Sequence, residues 1–185
     1  KSADEFASSA NVIDGILNKV IAGLYTPPDL DVAVLSNLLL RATFWYAESM
    51  FQIAKQSQRQ AQTPAVVKQA FAQARGVYEQ VLSRGTKLRT SFPEKTQNLY
   101  SITDGDKLEI PLISESQFMI SRCFYEEGDL NNAKSGLQQI RMPEGLKLKA
   151  DYLTALIAYD QKNLIGAKTM ADNWVSNEAT KEMPD

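Results

Sequence analysis

The chain contains no histidine. That absence removes the usual general base near neutral pH and the commonest metal ligand together, so serine–histidine and cysteine–histidine catalysis are excluded within it. A single cysteine, Cys123, has no internal disulfide partner and does not decide the redox compartment. No apolar run reaches the roughly 18 residues expected of a membrane-spanning helix, so no direct membrane insertion is expected. A basic surplus is missing too: 20 Lys and Arg stand against 22 Asp and Glu. No nucleic-acid partner is therefore expected, because general affinity for nucleic acid comes from neutralising phosphates. The glycines are scattered singly, without a phosphate-cradling loop. Asp104-Gly105-Asp106 lacks the further oxygen ligands and closing glutamate of a calcium loop and reads as a turn. No cofactor or metal is expected.

What is present is an ordinary globular composition, 44% hydrophobic and 23% charged, over 185 residues, enough chain for a proper core. The chain opens at Lys1 and closes at Met183-Pro184-Asp185 without an initiator methionine. A trimmed or processed piece is expected, with any signal peptide or anchor lying outside it.

Helical periodicity governs most of the chain. Ser2 and Glu5 are spaced as a capping box ahead of Phe6, Ala10, Ile13, Leu17, Val20, Ile21 and Leu24, which predicts one amphipathic helix. Thr26-Pro27-Pro28-Asp29 ends it and starts a second helix to about Gln60. The stripe of that helix is Leu35, Leu38, Leu39, Ala42, Trp45, Tyr46, Ser49, Met50 and Ile53. Thr63-Pro64 opens a third, with Val67, Ala70, Phe71, Ala74, Val77, Tyr78, Val81 and Leu82 at spacings of three and four, and Arg84-Gly85 is read as its stop. From 85 to 113 the pattern lapses. A short helix from Pro93 to Tyr100 and an extended connector over Leu108–Ile113 are expected in a surface insertion, with Pro111 arguing against a central strand. Ser114 and Gln117 are read as the start of the next helix.

Between Ser114 and Val175 the chain repeats itself. Cys123–Lys134 aligns with Ile157–Lys168 without a gap at an offset of 34, so that Tyr125 and Tyr159, Leu130 and Leu164, Ala133 and Ala167, and Lys134 and Lys168 coincide. Phe118 and Tyr152, and Ser121 and Ala155, match in kind. A period of this length with a turn at its middle is the pattern of stacked helix–turn–helix units.

Both units resemble tetratricopeptide repeats. In that family a small residue in the first helix precedes an aromatic one turn later, as Ser121 with Phe124 and Tyr125, and Ala155 with Tyr159. The family's turn is often Gly-Asp, as at Gly128-Asp129, whereas Lys162-Asn163 departs from it. The alanine that opens the second helix is matched by Ala133 and Ala167. Leu137 and Ile140, and Ala171 and Trp174, stand where that helix packs on its neighbours. Gln117 and Asp151 replace the usual early aromatic residue, and Pro143 comes early. The resemblance implies an all-α fold of antiparallel helix pairs stacked as a short right-handed solenoid. Residues 1–84 would be N-terminal helices including a degenerate pair, 85–113 an irregular insertion, and 114–185 two repeats over about 114–147 and 148–181, all in one continuous helical domain.

The resemblance also implies a role: a non-enzymatic adaptor or scaffold that receives a partner protein or peptide in a groove lined by the first helices. On that mapping Phe118, Arg122 and Tyr125, with Lys149, Tyr152, Leu156 and Tyr159, are the candidate groove residues, although Tyr125 and Tyr159 equally suit packing between repeats. The family's carboxylate clamp needs paired lysine and asparagine positions. Phe118, Arg122, Tyr152 and Leu156 stand there instead, so recognition of chaperone tails does not carry over. The other implied role is a structural segment of a larger or self-associating assembly, such as a cell-envelope complex. The resemblance leaves the cytosol and an exported or lipid-anchored place in a bacterial envelope both open.

Two further residue groups have local readings. Cys123, beside Phe124 on a helix, is read as a small buried hydrophobe. Glu126, Glu127 and Asp129 cluster at a helix–turn junction, an arrangement that suits a solvated surface and a cap better than a cation site.

Overall fold

The computed structural model describes residues 2–25, 30–94, 101–104, 108–140 and 144–176. The expected Thr26–Asp29 boundary, the remainder of a helix to Tyr100, the tip of the 104–106 turn, Pro143 and the tail beyond Ser176 lie outside the described residues, as do the side chains of the strands and of Trp174.

Among the described residues there are seven helices and one short hairpin. The helices are α1 (Ala3–Ile21), α2 (Val32–Arg59), α3 (Pro64–Ser91), α4 (Leu112–Glu126), α5 (Leu130–Gln139), α6 (Glu144–Asp160) and α7 (Leu164–Ser176). Each packs mainly on the next in sequence, in antiparallel pairs, and α2, α4 and α6 also touch in turn along one side. The even-numbered helices therefore form one layer. The all-α class holds, with strands β1 (Ser101–Asp104) and β2 (Leu108–Pro111) as a minor addition beside α4 and α6.

The caps follow from short polar side chains satisfying first-turn N–H groups. Ser2 accepts from the Glu5 backbone N–H and Glu5 returns a bond to the Ser2 N–H, closing the capping box. Asp31 accepts from Ala33 and Val34 at 2.9 and 3.1 Å, so α2 starts at Val32. Thr63 makes no side-chain cap bond, and Pro64 alone marks the start of α3.

Four helices close with the same motif. At α4 the Asp129 N–H donates to Phe124 O and the Gly128 N–H to Tyr125 O, while Gly128 takes φ +81°. At α6 the Asn163 N–H donates to Ala158 O and the Lys162 N–H to Tyr159 O, with Lys162 at φ 61°. Every donor and acceptor of the second turn lies 34 positions beyond its counterpart in the first. The caps that follow match too: Asp129 accepts from Asn132 N and Asn163 from Gly166 N, both at 3.1 Å. The ends of α1 and α2, at Gly23 and Ala61, carry the same pair of bonds. This is the Schellman arrangement, which satisfies carbonyls that the helix leaves open.

The core is richest between α2 and α3, where Phe44 meets Tyr78 edge-on at 5.7 Å and Phe51 meets Phe71 at 5.4 Å. Three local expectations are corrected there and beyond. First, α2 buries Val32, Ser36, Leu39, Leu40, Thr43, Phe44, Ala47, Phe51 and Ala54, whereas Leu38, Trp45 and Ile53 are exposed. The helix is apolar on several sides, and the small residues Ser36, Thr43, Ala47 and Ala54 let its neighbours come close, which decides the buried face.

Second, α3 does not stop at Gly85 but runs to Ser91. Gly85 lies in the buried row Phe71, Ala74, Tyr78, Val81, Gly85, Leu88. Burial of that row outweighs the roughly 1 kcal/mol a glycine costs inside a helix. Third, residues 108–111 form a strand rather than a connector: Ser101 pairs with Pro111 and Asp104 with Leu108 in an antiparallel two-stranded ladder, and α4 begins at Leu112, ahead of Ser114. Proline is tolerated there because a two-stranded ladder has no central strand.

Candidate functional site

An apolar trough lies on the outer side of α6 and α7. On α6 the row Leu146, Ala150, Leu153 and Ile157 is buried, each at 4% exposure or less. The opposite row, Tyr152, Leu156 and Tyr159, faces away, with Tyr152 45% and Tyr159 62% exposed. Leu164, Ala167, Lys168 and Ala171 on α7 stand at spacings of three and four, the rhythm of one helix face. The tight turn at Lys162 sets the two rows side by side, enclosing a trough of about 480 Å³. Lys168 is its one charged lining residue among those described.

The residues expected in a groove separate into two groups. Tyr152, Leu156 and Tyr159 are brought together in this trough. Phe118 is 5% exposed and belongs to the core. Arg122 is held by Glu126 at 3.0 Å and lies over the Tyr125 ring at 5.7 Å. Burial first, and the neighbouring Asp160 carboxylate of α6 second, push the Tyr125 hydroxyl's pKa up to about 12. Lys149 pairs with Glu115 of α4 at 3.5 Å. The α4 residues and Lys149 thus hold α4 against α6 or sit in α4's own interactions. Leu164, Lys168 and Ala171 were not among the expected groove residues. Their signal was in the sequence, since they occupy the positions of Leu130, Lys134 and Leu137 one period later.

The acidic cluster at the end of α4 is internally neutralised. Glu126 takes Lys55 at 3.2 Å as well as Arg122, and Glu127 takes Arg75 at 2.8 Å, with both carboxylates 6% exposed. Arg75 also stacks on Phe124, 4.3 Å from its centroid. Asp129 serves as the cap of α5, and the backbone N–H of Asn132 holds its carboxyl below the usual range. These bonds tie α2 and α3 to α4. Among the described residues no group of three or more His, Cys, Asp or Glu is placed to hold a metal ion.

Cys123 is fully buried, and burial pushes its thiol well above the ordinary range, so it packs as a hydrophobe. Tyr78, also fully buried, donates to the Glu48 carboxylate, and burial followed by that charge raises its hydroxyl in the same way. No helix among the described residues is long and apolar enough to cross a membrane.

Compared with protein-family models, curated proteins and solved structures, the chain matches none of them.

Proposed function

We propose that the chain is a non-enzymatic adaptor, a short right-handed solenoid of tetratricopeptide-like helix pairs that captures a partner protein through its α6–α7 face. The observation that carries this reading is the open apolar trough lined by Tyr152, Leu156, Tyr159 and Leu164. Large exposed apolar and aromatic side chains gathered in one concavity are the types that carry binding energy at interfaces. The turn and cap that recur 34 residues apart support the repeat assignment. The lack of histidine supports a role without catalysis.

Affinity capture from a native extract tests the reading, with wild type compared against Leu164→Glu. Leu164 is 62% exposed, so the substitution leaves the fold intact. A protein captured by wild type and lost from the variant, identified by mass spectrometry, is the expected result. Capture of the same proteins by both forms, or of none, would count against it. The same open end also favours a structural role in an end-to-end or self-associating assembly, which sedimentation at increasing concentration would reveal.

A further inference from the structure

We draw no further inference here: the strongest candidate, the apolar trough between α6 and α7 lined by Tyr152, Leu156, Tyr159 and Leu164, belongs to the face already described, and nothing in the structure shows what covers it.

Discussion

Among the described residues, two of the four that close a helix in the left-handed region are not glycine: Ala61 at φ 53° and Lys162 at φ 61°. An L side chain there costs roughly 1 kcal/mol, which glycine avoids. Lys162→Gly should therefore raise stability by about 0.5–1 kcal/mol, and Gly128→Ala at the matching position should lower it by about 1 kcal/mol. Urea unfolding followed by circular dichroism checks both, and a destabilising Lys162→Gly would contradict the shared geometry of the two turns. Residues of this kind were partly legible. Gly128-Asp129 announced its turn by composition, whereas Lys162-Asn163 was found only because it aligned with the first turn. The solvent side of Tyr152 and the burial of its counterpart Phe118 were not legible, because both are aromatic residues at equivalent positions. What separates them, among the described residues, is that α6 packs beside α4 and α5.

Between elements, one close approach lies within the α4–α5 pair, where a Cβ added to Gly136 would overlap the Ser121 Oγ. Ser121 is fully buried, its hydroxyl donating to Gln117 O at 3.2 Å. With the hydroxyl gone, the nearest side-chain atom would be the Ser121 Cβ at 3.4 Å, an ordinary contact. Gly136→Ala alone should lower stability by about 1 kcal/mol, overpacking outweighing the gain in helix propensity. In a Ser121→Ala background the same change should raise stability by about 0.5–1 kcal/mol. A double-mutant cycle by chemical denaturation measures the reversal, and equal effects in both backgrounds would contradict the close approach. Helix existence was legible at this scale because periodicity and caps agreed over long stretches. Two boundaries were not. Gly85 looked like a stop yet fills a buried row, and Pro111 looked like an obstacle to pairing yet ends a two-stranded ladder. The buried face of α2 was obscured by apolar residues on several of its sides.

Across the whole molecule the two ends differ. The exposed side of α1 is mainly polar, with Asp4, Glu5, Ser8, Ser9, Asn11 and Lys19 alongside Val12 and Ile21. The exposed residues of α6 and α7 include large apolar ones, with Tyr159 and Leu164 each 62% and Ile165 84% exposed, among Lys147, Asp151, Lys168 and Asp172. A stack of helices needs a polar outer face where it meets water, so the large apolar residues exposed on α6 and α7 would gain from association. The seven helices of the described residues and their sequential order followed from the sequence, apart from details of the 85–113 stretch. That α6 lies beside the α4–α5 surface was not legible from the repeat alone. The most direct test of the account takes the protein captured from extract and titrates it by calorimetry against wild type, Leu164→Glu and Arg122→Glu. The account predicts a loss of about tenfold or more for Leu164→Glu, and less than about threefold for Arg122→Glu, whose side chain is already engaged by Glu126. Strong loss at Arg122 with full affinity retained by Leu164→Glu would contradict it and place the partner along α4 instead.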